Sequence, residues 1–264
     1  MLYVLEGRTI LELQIMSFNL RYWNEHDGTN SWPQRRKAVA KLIHETNPVI
    51  LGTQEGLRIM LQDLDETLPA YGRVGESRSA SGDDEFCAIY YRQALFELIE
   101  SKQIWLSETP DEPGSKSWDS SLPRICTLAL LKHRPTGKQV AFLNTHLDHL
   151  GAIARLEGAK LILELVSEYE GMPCILTGDM NCHPRSAPIQ LLTSQLTNAL
   201  GEVGLGEVGT FHEFTGLASY DPIDYIFVTS QIQVLHGAVL DRKVEGVFPS
   251  DHFPISALVR IWIL

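Results

Sequence analysis

The sequence predicts an α/β (α+β) fold: two mixed, largely antiparallel β-sheets packed face to face, with helices on the outside. Short apolar runs with the alternating period of strands recur along the chain. Some are joined by tight turns and others are separated by amphipathic helices. Hairpins mixed with strand–helix units do not build an all-parallel sheet. The 264 residues carry 44% hydrophobic and 21% charged side chains with 20 Gly and 13 Pro, which excludes fibrous and disordered classes. The chain shows no linker or internal repeat, and one domain over residues 1–264 is expected.

Leu13-Gln14-Ile15-Met16-Ser17-Phe18 alternates apolar and polar residues like a half-buried strand and delivers Asn19 to its end. Ser31-Trp32-Pro33 caps a helix running through Val39, Leu42 and Ile43, and Asn47-Pro48 stops it. The short apolar run Val49-Ile50-Leu51-Gly52 brings Gln54 and Glu55 to its end, and a helix through Leu57, Met60, Leu61 and Leu64 follows. Strands are expected over Phe86 to Tyr91, Leu95 to Leu106, Ile125 to Leu131 and Val140 to Asn144, with Pro135-Thr136-Gly137 turning the last two into a hairpin. Gly151 to Glu170 reads as a long amphipathic helix closed by Gly171. Cys174 to Asp179 is a buried strand ending in an acid, and strands over Ile223 to Val228, Ile232 to Leu240 and Ile255 to Ile263 complete the set.

Lys and Arg number 22 against 33 Asp and Glu, a net charge of −11, so the average surface repels polyanions and disfavours an extended duplex while permitting a locally positive pocket. Cys87, Cys126, Cys174 and Cys182 form no C-x-x-C pair and read as small buried hydrophobes that suit a reducing compartment. The opening Met1 to Arg8 lacks a basic start followed by an apolar core, and no apolar run reaches the roughly 20 residues of a membrane span. A cytoplasmic location is therefore expected.

Asn19, Glu55, His146, Asp179, Asn181, Asp224, Asp251 and His252 each fall at or beside the end of an expected strand, where ligand sites in layered folds gather. Any one of them alone has an ordinary reading as a turn or cap residue. Together they form a set of carboxylates, amides and imidazoles without a thiolate or a His cluster. That set suits a hard divalent ion, Mg2+ or Mn2+, and phosphoester hydrolysis rather than a zinc site. Arg21 and Arg124 are candidate phosphate contacts, because a guanidinium fork matches phosphate oxygens. Trp23, Trp32 and Trp118 lie in loops near these motifs, where each is either packed or part of a pocket wall. Ser250-Asp251-His252 cannot be a serine-hydrolase triad, since successive side chains diverge and no G-x-S-x-G elbow is present.

Six segments in order, Ser17-Phe18-Asn19, Gln54-Glu55, Asn144-Thr145-His146-Leu147, Gly178-Asp179-Met180-Asn181, Ile223-Asp224-Tyr225-Ile226-Phe227 and Ser250-Asp251-His252-Phe253-Pro254, resemble the endonuclease/exonuclease/phosphatase superfamily. The resemblance covers nearly the whole chain and implies the four-layer α/β/β/α sandwich of deoxyribonuclease-I-like phosphoesterases. Within that superfamily, Phe18-Asn19-Leu20-Arg21, the run Trp105 to Pro110, Pro123 to Thr127 and Thr210-Phe211-His212 look like a chemically ill-defined bacterial branch. Glu213 and Phe214 follow His212 where a glycine is usual in that branch, which leaves the shape of that loop open.

The resemblance implies Glu55 as principal metal ligand with Asn19 near metal and phosphate, and Asp251 completing or tuning the site. Asp179 would position or deprotonate the attacking water, and Asn181 would donate to the phosphate or orient Asp179. His252, oriented by Asp224, would contact the scissile phosphate as base or as electrostatic stabiliser. His146 would approach from the other side, paired with Glu85, which stands seven residues before Arg92 as in the pancreatic deoxyribonuclease branch. The implied reaction is attack of water on a phosphodiester or phosphomonoester, with a small molecule or single-stranded nucleic acid as substrate. A nuclease acting on DNA or RNA is the alternative, and a catalytically silent binding module on the same fold is the further one.

Overall fold

The computed structural model describes residues 2–5, 8–218 and 221–263; Met1, Glu6 and Gly7 of the opening segment lie outside the described residues. The strands are β1 (Leu2–Leu5), β2 (Arg8–Asn19), β3 (Ile50–Gly56), β4 (Tyr71–Val74), β5 (Phe86–Arg92), β6 (Phe96–Trp105), β7 (Ile125–His133), β8 (Gln139–His146), β9 (Cys174–Asp179), β10 (Thr197–Asn198), β11 (Asp224–Val228), β12 (Ile232–Val239) and β13 (Ile255–Ile263). The helices are α1 (Trp32–Thr46), α2 (Arg58–Thr67), α3 (Ala152–Ser167), α4 (Ala187–Thr193) and α5 (Ala199–Glu202), with a 3-10 segment over Glu25–Asn30.

One sheet has the order β12-β13-β2-β3-β5-β4 with β1 paired to β2, and the other has β10-β11-β9-β8-β7-β6. Only β2–β3 and β8–β9 are parallel among these pairs, so the sheets are mixed and largely antiparallel, as expected from the hairpins. Leu13, Ile15, Ile50 and Ile89 of one sheet meet Phe142, Ile175 and Ile226 of the other in the inter-sheet core. Met16, Phe18 and Leu51 face outward onto Val39, Leu42 and Leu61 of α1 and α2, while Leu128, Leu143 and Leu176 face Ala159, Ile162 and Leu192 of α3 and α4. The C-terminal half of β2 is thus covered on both faces rather than half-buried: Leu13 and Ile15 enter the sandwich, and Met16 and Phe18 sit under helices. No described helix is long and apolar enough to cross a membrane.

Pro33 opens α1, and Asn47 ends it in the left-handed region at φ 50°, its N–H bonded to Ile43 O. Ser31 occupies the N-cap position but makes no side-chain cap. α3 ends at Ser167, short of the expected Glu170, because turns at 168–172 lead into β9.

Between the sheets, directly beneath the strand ends, apolar packing gives way to a buried polar seam. Asn144 Nδ2 donates to Thr53 O (2.8 Å) and Ala88 O (3.0 Å) across the sandwich. Its Oδ1 accepts from Gln54 Nε2 (2.7 Å) and Thr177 Oγ1 (3.0 Å). Gly52 makes room for this seam, since a Cβ there would stand 2.2 Å from Thr177 Oγ1. Gln54 Oε1 has no partner in this seam, while the bonds made by Asn144 set which residues of the two sheets face one another.

Candidate active site

Strand register brings the site together. His146 pairs with Asp179 across β8 and β9, and Asp179 pairs with Asp224 across β9 and β11, so three neighbouring strands present these side chains side by side. In the opposing sheet Asn19 pairs with Gln54. The next residue, Glu55, lies at a β-bulge with φ 60°, which turns its carboxylate out of the ladder toward the strand ends. The two sets close over a cleft of about 660 Å3 whose lining includes Arg21, Glu55, His146, Asp179, Asn181, Asp251 and His252.

Asn19 bridges the sheets. Its Nδ2 donates to Glu55 Oε1 (2.9 Å) and to Asp179 Oδ2 (3.0 Å), and its Oδ1 accepts from the Arg21 N–H (2.9 Å). Glu55 Oε2 accepts from Tyr22 N (3.0 Å). Asp179 Oδ1 accepts from the Asn181 N–H (2.9 Å), which is possible because Asn181 adopts φ 47°. Burial, reinforced by Asp224, pushes the Asp179 carboxyl up to about 7.

His252 Nδ1 meets Asp224 Oδ2 at 2.8 Å, and its Nε2 lies 3.8 Å from Asp179 Oδ2. Burial works against the imidazolium, but Asp224, Asp179 and Asp251 outweigh it and raise the ring to about 10. A strap over Thr210 to His212 holds this segment: Phe253 N donates to Thr210 O (2.7 Å), His212 N donates to Asp251 O (2.8 Å), and the Phe211 ring lies 4.9 Å from that of His252. Glu213 and Phe214 make the turn that leaves the strap with φ 49° and 61°, so the left-handed backbone is kept without a glycine.

His146 differs from His252. Burial, together with Arg124 and Arg78, holds it well below the ordinary histidine value, so it is neutral. Asn181 Nδ2 donates both to Leu147 O (3.0 Å) and to His146 Nε2 (3.0 Å), leaving the ring proton on Nδ1. That Nδ1 has no hydrogen-bond partner and lies 3.9 Å from Glu85 Oε2. The expected Glu85–His146 pair is therefore close but not hydrogen-bonded. The physical reason is Arg78, which takes both Glu85 oxygens at 2.9 Å. Burial, with Glu55 adding repulsion, raises the Glu85 carboxyl to about 7.

Arg21 and Arg124 both line the cleft, each held by a carboxylate. Arg21 forks onto Asp27 (3.0 and 3.1 Å) and lies 3.6 Å from Asp251, whose Oδ1 accepts from Ser250 Oγ (3.2 Å). Arg124 Nε lies 3.5 Å from Asp148. Trp32 is buried, donating to Asp63 (2.7 Å), and Trp23 packs with the α1–α2 core. The apolar walls of the cleft come instead from Tyr22, Leu57, Leu122, Phe211 and Ile223.

Two groups of side chains bring possible ligand atoms within 4.8 Å of one another: Glu55, His146 and Asp179, and Asp179, Asp224 and His252. The second is committed to the short Asp224–His252 bond. The first offers two carboxylates and one imidazole nitrogen and fits a hard divalent ion through its carboxylates, while Asn19 beside it presents Nδ2 rather than its oxygen. The cysteines are buried thiols whose pKa values burial raises, which leaves no thiolate for a soft metal.

The family model described as "Endonuclease/Exonuclease/phosphatase family" matches residues 16–252. The chain belongs to that family. Members of the family are hydrolases acting on phosphoester bonds. An endonuclease/exonuclease/phosphatase family protein from Bacteroides thetaiotaomicron is 35% identical with a TM-score of 0.89, over 96% of this chain and 98% of that one. A mannosyl-6-phosphatase of the same organism is also 35% identical with a TM-score of 0.87, over 94% of this chain and 99% of that one. A curated Arabidopsis thaliana protein, carbon catabolite repressor protein 4 homolog 5, is 27% identical in an alignment of 191 positions that covers 66% of this chain. The match spans 40% of that relative's length.

Sequence reasoning did not single out Arg35, Arg78, Asp148 or His149. Arg35 is fully buried and donates to the carbonyls of Leu20, Arg21, Asn30 and Pro249, between the rings of Trp32 (5.5 Å) and Phe214 (5.6 Å). It ties the loops carrying Arg21 and Asp251 to α1. A signal existed: Arg35 lies three residues before Ala38 and seven before Leu42, on the apolar stripe of the helix.

Proposed function

We propose that this chain is a divalent-metal-dependent phosphoesterase that hydrolyses a small-molecule or single-stranded phosphoester by in-line attack of water. The observation that carries the reading is the placement of Asp179 at the centre of the cleft. It is held by Asn19 and the Asn181 N–H and flanked by the neutral His146 at 3.5 Å and the charged His252 at 3.8 Å. A carboxyl near pKa 7 beside an imidazolium near 10 divides the labour: Asp179 orients the water and takes its proton, and His252 stabilises charge on the phosphoryl oxygens. Asp224 keeps His252 charged and fixes its orientation.

Glu55 would hold the metal, Mg2+ or Mn2+, with Asp251 tuning the field and Asn19 reaching it only with its amide turned, since Oδ1 is bound to the Arg21 N–H. When bound, such an ion polarises a phosphoryl oxygen and stabilises the leaving oxygen. Asn181 and His146 line the opposite wall, where Asn181 orients both Asp179 and the neutral imidazole. Arg21 and Arg124 supply fixed positive charge at the cleft in a chain of net charge −11, which supports a compact substrate over a long polyanion. The similarity to a mannosyl-6-phosphatase supports the monoester arm.

The test is hydrolysis of bis-p-nitrophenyl phosphate and p-nitrophenyl phosphate during Mg2+ and Mn2+ titration of wild type and Glu55→Gln. Metal-dependent turnover by wild type and a loss of at least about a hundredfold in the variant are expected, and the preferred ester separates diesterase from phosphatase. Turnover of single-stranded or duplex nucleic acid alone, with steep salt dependence, would favour the nuclease reading instead. Absence of turnover on the whole panel would favour a binding module.

A further inference from the structure

One wall of the cleft carries an imidazole that the proposed chemistry does not use. His149 is solvent-exposed and lines the cleft. Its Nδ1 lies 3.1 Å from Arg124 Nη2 and 3.2 Å from Ser121 Oγ. A guanidinium can only donate, so Nδ1 accepts and the ring carries its proton on Nε2. The Ser121 hydroxyl proton goes to Asp148 Oδ2 at 2.6 Å, so Ser121 donates nothing to Nδ1 and the closer Arg124 contact, which can only donate, sets the tautomer. Nε2 has no partner among the described residues.

The loops on either side of this ring are tied together. Asp148 is buried and gathers the two loops that frame His149, accepting from Ser121 N (3.1 Å) and Leu122 N (3.3 Å) on one loop and from Leu150 N (3.0 Å) and Gly151 N (2.7 Å) on the other. A ring N–H aimed out of the Arg124 contact into the cleft is suited to an oxygen acceptor on the leaving group, since fixed cations already serve the phosphoryl group. Tyr22, Leu122 and Phe211 add apolar surface to the same cleft, as the C–H face of a saturated ring requires.

We propose that His149 is a specificity-determining residue whose Nε2–H donates to a hydroxyl or ring oxygen of the leaving group, so that the cleft selects phosphate esters of sugars or polyols. The proposal rests on the phosphoesterase reading and adds the substrate class. A hydrogen bond of this kind is worth about one factor of ten in binding.

The experiment compares His149→Ala, His149→Asn and His149→Gln with wild type on aldohexose 6-phosphates and on p-nitrophenyl phosphate, which carries no hydroxyl. The side chain is exposed, so the variants should fold. The KM for hexose 6-phosphates should rise about tenfold in the Ala and Asn variants, at least five times more than the KM for p-nitrophenyl phosphate, with kcat changed little. Gln, whose amide nitrogen reaches the position of Nε2, should recover most of the loss. Equal shifts for both esters, no shift for either, or a wild type that cleaves p-nitrophenyl phosphate but no sugar or polyol phosphate would overturn the assignment. A wild type that cleaves neither ester with Mg2+ or Mn2+ would instead remove the phosphoesterase reading, and the substrate class with it.

Discussion

His252 donates through Nδ1 to Asp224 Oδ2 at 2.8 Å, and both side chains are buried. The pair joins the end of the chain's last motif to the start of β11 and keeps a positive charge beside Asp179.

That relationship sets a pH dependence. The folded His252 value of about 10 lies above the ordinary 6.5, so the stabilisation from the charged pair is fully present below pH ~6.5 and is lost as pH rises through about 10. The alkaline limb of kcat/KM in wild type should therefore fall near pH 10. In Asp224→Asn only Asp179 and Asp251 still oppose burial, and the limb should move down from about pH 10. Thermal melts in chelator at pH 6 and 11 should show the variant losing the pH sensitivity that wild type has. An unmoved limb would show that His252 is not the charged group that activity needs.

Arg35 illustrates stability and site geometry carried by one side chain. Burial lowers its guanidinium only to about 10, so it remains charged at neutral pH while serving four carbonyls. Arg35→Lys keeps charge but not the fork, leaving several buried carbonyls short of donors at roughly 1–3 kcal/mol each. A loss of about 3 kcal/mol or more is expected by urea unfolding, together with weakened activity, because the Leu20–Arg21 and Pro249 carbonyls position Arg21 and Asp251. Unchanged stability would contradict the linchpin role.

Glu213 occupies left-handed backbone at φ 49° where a side chain is strained. Its side chain is exposed, so Glu213→Gly should remove strain without losing contacts and raise stability by about 1 kcal/mol, read as a higher melting temperature. A lower melting temperature would mean that the loop's shape depends on the glutamate.

Gly52→Ala should do the reverse. Its Cβ would meet Thr177 Oγ1 at 2.2 Å and Asn144 Oδ1 at 2.6 Å, both in the buried seam. A destabilisation of about 3 kcal/mol is expected in chemical unfolding, since neither polar atom can retreat without losing a bond. A neutral effect would mean that the sheets separate more easily than the packing indicates.

The strand ends were legible because alternating apolar runs stop abruptly at polar residues, and Asn19, Glu55, His146, Asp179, Asp224 and His252 all lie where those runs stop. The helices over Trp32–Thr46 and Ala152–Ser167 were legible for the same kind of reason, a continuous apolar stripe between a cap and a stop. The short elements Tyr71–Val74, Ala187–Thr193 and Thr197–Asn198 were not read, because each is too brief to show a period. What links segments distant in sequence also escaped notice. Arg78 takes the carboxylate expected to pair with His146, and Asp148 binds two loops through backbone N–H groups. Such contacts depend on three-dimensional register, which composition and spacing do not encode.

Direct measurement of Mn2+ binding, by calorimetry on metal-free wild type and Glu55→Gln, bears most closely on the proposed chemistry. Saturable binding by wild type, weakened at least about tenfold in a variant whose melting temperature in chelator is unchanged, is the expected result. Equal affinity in both proteins, or no binding by wild type, would contradict a Glu55-centred metal site and the hydrolytic mechanism built around it.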